Sequence, residues 1–508
     1  MSHNSSLIAA LTLAAGLGST SAAAQQPGRY SFRLQSKGME VLEAGVEAMG
    51  GRDAIGRAGA ARIRARLTVH NLGQGLRPDA EAPPNPPLIM ALTYDHASGT
   101  AVYDMYQPDT ATQAVARIVL SPADTFFYNR AANRVQGVTE PDAIQIILRA
   151  MHYPPAFLLD AEAHAASVRW LGRSSTEETS HDVITYVDDI GQQIALYFDA
   201  RNDLLARAEV IEAHPQFGDH TVGVTFADYR PVGSLRLPYK VRSLTAGVPY
   251  TEAEFLEVDL GVEVPRDLLT RPSGADSGPP ITGNHPMPNL DATELGDGIY
   301  AIFNATGGYN VMFVDLGESV FVIEPVISPE VTRAVVNEIR QTVPGKPIGY
   351  VAMTHHHFDH SGGLLGFMTE GATIVANRGD ADFIREVARA PRTLDGESVP
   401  DSPPTIEIVS GKRTYGSGSR TVELYQVGPS PHVDELLIAY IPSLELMYVA
   451  DVYNYQGQVA PAGEGTLALA DKIEELGLEV SRIIPTHGEA ATGEQFWDSV
   501  RLAREANR

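Results

Sequence analysis

The stretch THHHFDHSGG, residues 354–363, sets four histidines and an aspartate into six positions directly after the apolar segment IGYVAM. Crowded imidazoles repel one another once protonated, so a cluster of this kind at the end of a buried strand calls for a metal on its nitrogens. In an extended chain leaving a strand, side chains two apart point the same way. His355 and His357 can therefore grip one ion together, while His356 between them points away. Asp359 and His360 follow as the chain turns at Ser361-Gly362-Gly363, where they can address a second ion beside the first.

The segments around this motif read as alternating blocks of strands and helices. GIYAIFN, NVMFVDLG and SVFVIEP have strand character, and SPEVTRAVVNEIRQ offers Ser328 as a helix cap with Pro329 in the first turn. Further strands (ATIVAN, TVELYQV, LLIAYIP, ELMYVAD, RIIP) and helices (DADFIREVAR, LALADKIEELGL, EQFWDSVRLARE) complete residues 290–508. Such a pattern suggests two sheets with helices outside, an αββα sandwich. Residues 264–289 are rich in Pro, Gly and Ser and read as a linker. Before them, residues 27–263 begin with helical spacing, broken at Gly50-Gly51, and continue as short segments that alternate apolar and polar residues. The fold class expected is α+β, an antiparallel β domain with a helix followed by the sandwich.

At 508 residues the chain is too long for one ordinary core. Its 38 basic and 63 acidic residues give a formal charge of −25, which repels phosphate backbones and sets nucleic acid aside as a partner. There is no cysteine, so disulfides, a thiolate nucleophile and Cys-ligated zinc are excluded, and any metal is held by His and carboxylate. Residues 7–18, LIAALTLAAGLG, followed by small residues ending in Ala22-Ala23-Ala24, read as a signal peptide over residues 1–24 with cleavage near Ala24. The expected location is the periplasm or outside the cell, with no transmembrane segment in the mature chain. Nothing in the sequence speaks to oligomeric state.

With the HxHxDH motif following a buried strand, residues from about 290 to 500 resemble the metallo-β-lactamase-fold superfamily. The resemblance implies three more ligands: His432 in the loop VGPSPHVD, Asp451 at the end of ELMYVAD, and His487 in RIIPTHGE. His355, His357 and His432 would hold one ion, Asp359, His360 and His487 the other, and Asp451 would bridge the two. Nitrogen and oxygen donors suit two Zn2+ ions best, with iron or manganese as alternatives. Members of the superfamily that bind di-iron for redox work usually carry Glu where this chain has His357. Glu324, Thr354 and Thr486 are candidates to support the ligands from behind, and Tyr453 and Asn454 to meet substrate. The N-terminal domain is distantly similar to the half-barrels of bacterial lipoprotein carriers.

Together these expectations describe an exported dinuclear zinc hydrolase acting on a small-molecule ester-like bond, a lactone, thioester or carboxylic ester, amphiphilic substrates included. Hydroxide formed between the ions would attack, and Asp359 would be the catalytic residue that orients it and shuttles its proton. Two alternatives belong beside this reading. A periplasmic β-lactamase is disfavoured by a bridging Asp451 and by the large first domain. A carrier of lipophilic ligands with a vestigial hydrolase domain is disfavoured by the complete ligand set, since decay would have erased some of it.

Overall fold

A computed structural model describes residues 27–506 except 82, 108–113, 139–153, 177, 279–286, 288–289, 395, 398 and 401. The expected signal peptide lies outside the described residues, as does part of the expected linker. No helix among the described residues is long and apolar enough to cross a membrane.

The N-terminal half is built on one sheet of fourteen strands among the described residues. The strand Ala60–Val69 lies inside it, antiparallel to Leu88–Asp95 on one side and to Val248–Leu260 on the other. Successive antiparallel neighbours carry the sheet outward in both directions, to Arg134–Gly137 on one flank and to Arg169–Ser175 on the other. Two helices, Pro27–Ala48 and Arg52–Arg57, meet at the Gly50-Gly51 break that the sequence marks. Their buried Leu42, Val46, Met49 and Ile55 pack on one face of the sheet with Ile63, Leu196, Phe198 and Leu237.

A further helix, Pro154–Ala163, falls inside the region read as strands only. Pro154 and Pro155 open it, where a missing N–H breaks no helical bond, so the pair hides a helix start rather than excluding one. The stretch read as a linker carries a short 3-10 turn at Arg266–Leu269 and a strand, Asp276–Ser277, parallel to Arg134–Gly137. Leu268 and Leu269 pack there against buried Val102, Val119 and Phe126.

The C-terminal half has the expected four layers. A seven-stranded sheet begins at Ala292–Gly296 and ends at Ile406–Ile408, and a six-stranded sheet runs from Lys412–Tyr415 to Ala491–Thr492. All four residues of the strand Val320–Ile323 are buried, and alternation explains why: Val320 and Val322 face the outer helices, Phe321 and Ile323 the second sheet. The helix Pro329–Thr342 starts as read, with the Ser328 side chain accepting from the Val331 N–H. Helices Glu464–Leu476 and Gly493–Ala506 cover the other side. The chain is thus a mixed α/β molecule, and its second half is the αββα sandwich.

Candidate metal centre

Each sequence-predicted ligand leaves the end of a strand on one edge of the sandwich. His355, His357, Asp359 and His360 follow the strand Ile348–Ala352, with Asp359 and His360 on the helical turn Phe358–Ser361. His432 lies between Val422–Val427 and Leu436–Ile441, Asp451 follows Leu446–Val449, and His487 follows Arg482–Pro485. The glycines after the motif are needed for close packing rather than unusual backbone angles. A Cβ on Gly362 would sit 2.0 Å from the Ile327 carbonyl oxygen. Gly488 is different, with φ +101° in the left-handed region and the Tyr455 carbonyl oxygen 2.3 Å from any added Cβ.

These loops bring all seven residues together in two overlapping groups, His355, His357, His432 and Asp451, and Asp359, His360, Asp451 and His487. Asp451 belongs to both. Its Oδ2 lies 2.8 Å from His360 Nε2, 2.9 Å from His432 Nε2 and 3.3 Å from His355 Nε2, while Oδ1 lies 3.3 Å from His487 Nε2. Its own φ of +56° is costly for a residue with a side chain, a strain held at the point where the groups meet. His355 Nε2 and His432 Nε2 are 3.1 Å apart, and His360 Nε2 and His487 Nε2 are 3.3 Å apart.

The donor set fits a divalent cation pair. Imidazole nitrogens facing each other this closely converge as the ligands of a shared cation do, and two of the five rings, His355 and His357, resist a proton. Burial pushes the His355 pKa well below its ordinary value and brings His357 down to about 4. His357 Nδ1 is buried without a hydrogen-bond partner, an orphan that a ligand bond would satisfy. His360 goes the other way: burial opposes its charge, but Asp451 and Glu324 outweigh that and hold its pKa well above the usual range. Its ring is drawn to positive charge because three carboxylates, those of Asp451, Glu324 and Asp359, face it.

Behind the ligands, Glu324 is fully buried, and its Oε2 accepts from the Thr354 hydroxyl at 2.8 Å and the Thr486 hydroxyl at 3.4 Å. The same oxygen lies 3.2 Å from His360 Nδ1. The three residues chosen as supports therefore form one cluster. His356 points away from the others as alternation requires, with Nδ1 3.6 Å from Asp380.

Tyr453 is not placed to meet substrate. It is 5% exposed and packs edge-on against Phe496 in the core, because its side chain turns inward where the chain leaves the strand end. Asn454 beside it is exposed, with its amide 3.4 Å from the Asp451 carbonyl oxygen.

Several participants are not evident in the sequence. GGYNV, which reads as a plain turn, holds the last ligand in place. The Tyr309 hydroxyl donates to the Asp359 carbonyl oxygen at 2.8 Å, and its ring meets His487 edge-on at 5.1 Å. The buried Asn310 amide donates to the carbonyls of Pro485 and Gly488, on both sides of His487. Gln74 and Gly75 reach Asp359 and His357 from the other half of the chain. Gly307-Gly308 before Tyr309 and the glycines on either side of Gln74 are the local marks of these segments.

Comparison with known proteins finds likenesses over part of the chain. Relatives include the alpha subunit of 2,4-dinitroanisole O-demethylase from Nocardioides sp. (strain JS1661), 24% identical over 235 residues, 45% of this chain and 64% of that protein. A linear primary-alkylsulfatase of Pseudomonas sp is 34% identical over 77 residues, 15% of this chain and 11% of that one. The chain therefore spans under two thirds of each of these relatives. Among solved structures, the metallo-beta-lactamase from Pontibacter korlensis is 18% identical, covering 42% of this chain and 99% of its own, at TM-score 0.33. FIM-1 from Pseudomonas aeruginosa in its mono-zinc form is 17% identical, covering 44% and 98%, at TM-score 0.33. Residues 305–497 match the model of the metallo-beta-lactamase superfamily, and this part of the chain belongs to that superfamily, whose members are metal-dependent hydrolases.

Proposed function

We propose that the chain is an exported dinuclear zinc hydrolase that cleaves an ester-like bond, a lactone, thioester or carboxylic ester, in a small molecule. The observation that carries this reading is the sharing of Asp451 between the two groups of ligands, which makes them one site rather than two. His355, His357, His432 and Asp451 would hold one ion, and Asp359, His360, His487 and Asp451 the other. Zinc suits a donor set of imidazoles and carboxylates without thiolate. Two such ions supply Lewis acidity and bring the pKa of water toward neutrality.

The chain's own groups do the rest. Asp359 turns Oδ2 toward His487 Nε2 at 3.0 Å and Oδ1 toward Gln74, so its carboxylate has a fixed direction. It orients the attacking water by accepting a hydrogen bond, then passes the proton to the leaving oxygen, or to sulfur in a thioester, as its bond to the acyl carbon breaks. Glu324 and the two threonines fix the rings behind the reacting atoms.

A second reading, hydrolysis of an alkyl sulfate ester, is supported by the local likeness to the alkylsulfatase. Metal analysis with a panel of lactone, thioester, carboxylic ester, sulfate ester, phosphodiester and β-lactam tests both. The first reading expects about two zinc ions per chain and turnover of an acyl ester, lost on chelation. Turnover of the sulfate ester alone moves the assignment to the second, and turnover of the β-lactam alone overturns both. Export is tested by sequencing the N-terminus of periplasmic protein, expected to begin near Gln25.

A further inference from the structure

The turn that follows the strand Ala60–Val69 leaves the N-terminal sheet and lies against the sandwich. Successive residues in it touch two ligand-bearing segments, the histidine motif and the loop of His432. Gln74 Nε2 donates to Asp359 Oδ1 at 3.2 Å. The Gly75 carbonyl oxygen accepts from His357 Nε2 at 3.0 Å. The Leu76 carbonyl oxygen accepts from the Asp434 N–H at 3.0 Å, and Arg77 reaches the Asp434 carboxylate at 3.1 Å, two residues from His432.

The second of these contacts selects a tautomer of the neutral ring. A carbonyl oxygen can only accept, so His357 carries its proton on Nε2 and presents a lone pair on Nδ1. That Nδ1 is the buried nitrogen without a partner. A second anchor lies behind the motif, where Gln216 of the N-terminal half donates to the Ser361 hydroxyl at 2.7 Å and to the His356 carbonyl at 3.3 Å. Other contacts between the halves join residues 214–219 to 391–394, away from the ligands, whereas those of the turn fall on ligands and on the residues beside them.

We propose that the turn at residues 72–80 is part of the metal centre, with Gly75 selecting the His357 tautomer that binds metal and Gln74 acting as a positioning residue for Asp359. The inference rests on reading the clustered residues as metal ligands. It assigns the N-terminal domain a part in the site beyond any role in binding substrate. The sandwich without that domain would hold its ions in a mis-set geometry.

Co2+ titration of metal-free full-length protein tests this, reading affinity by competition with a chelator and geometry by the visible d–d bands. Wild type is expected to bind two ions per chain. Gln74→Ala is expected to weaken one of them by about 10–100-fold and to change the d–d spectrum, with an unaltered melting profile in the metal-free state. Gly75→Val, whose Cβ would meet the Ala80 carbonyl oxygen at 3.0 Å, is expected to displace the turn and weaken the ion held by His357. On a turned-over substrate, Gln74→Ala should lower kcat with KM little changed. If both variants bind Co2+ with wild-type affinity and spectrum, the inference is overturned and the metal assignment stands. If wild type binds no Co2+, the metal assignment falls and takes the inference with it.

Discussion

Glu324 Oε2 lies 3.2 Å from His360 Nδ1, on the side of the ring away from the Asp451 carboxylate that meets Nε2 at 2.8 Å. One imidazole thus faces carboxylates on both sides, Asp451 and Asp359 within the cluster and Glu324 behind it. Burial raises the Glu324 pKa and the surrounding donors offset part of that rise, so the carboxylate depends on His360 and Thr354 to stay charged. Glu324→Gln keeps the shape and removes the charge. It should weaken binding of the ion at His360 by about 10–100-fold while the other ion is retained, as read by zinc content after graded chelation. Equal loss of both ions would show that Glu324 supports the fold rather than this ligand.

His356 and His357 are adjacent, and their replacement should have opposite outcomes. His357→Ala removes a ligand from the first group and should reduce hydrolysis by at least about 100-fold together with the metal content. His356→Asn should keep both ions, because that ring faces Asp380 and not the cluster. Wild-type activity in His357→Ala on the best substrate would end the two-ion mechanism.

Asp451 carries the heaviest consequence of any single carboxylate. Asp451→Asn keeps the volume but removes the charge that both groups share, so both ions should be lost in chelator competition, not one. Retention of one tightly bound ion would mean that the groups are independent.

His214 links pH to the domain contact. It stacks on Phe217, lies 5.3 Å from Phe358, and its carbonyl accepts from Arg392. Burial, with smaller contributions from His220 and Arg392, lowers its pKa from 6.5 to about 4. The folded state then binds fewer protons than the unfolded one between these values, so stability is full above about 6.5 and falls as pH drops toward about 4. Thermal melts of metal-free protein from pH 8 to 4.5 should show this fall, and His214→Gln should make it shallower. An identical slope in both proteins would rule His214 out as its source.

Phe321 tests the layered architecture. Its ring is fully buried between the two sheets, beside Tyr350 and Tyr415. Phe321→Ala should cost about 3–5 kcal/mol in denaturant unfolding, because neighbours from both sheets cannot collapse into the gap.

The sandwich and the histidine motif were legible because each rests on a local pattern, whereas His432, Asp451 and His487 came only from the family resemblance. Alternation marked Val320–Ile323, a capping serine marked the helix after Ser328, and the histidine cluster marked the strand end. What escaped depends on distance along the chain or on mixed local signals. Gln74 meets Asp359 across 285 positions, and nothing near either residue encodes the partner. The Pro154-Pro155 pair masked a helix, and Tyr453 looked like a loop residue because sequence does not tell which way a side chain turns after a strand. The union of so many N-terminal strands into a single sheet is likewise a matter of long-range pairing.

The centre is stitched from segments near residues 75, 357, 432, 451 and 487, so it cannot assemble until almost the whole polypeptide has been made. Contacts that span this much sequence close slowly, after the local hairpins of the first sheet. A nascent chain would therefore pass through a period in which its histidine cluster is exposed and unconstrained, able to capture whatever ion is at hand. Assembly of the site is thus a late event in folding, tied to the pairing of distant segments rather than to any one of them.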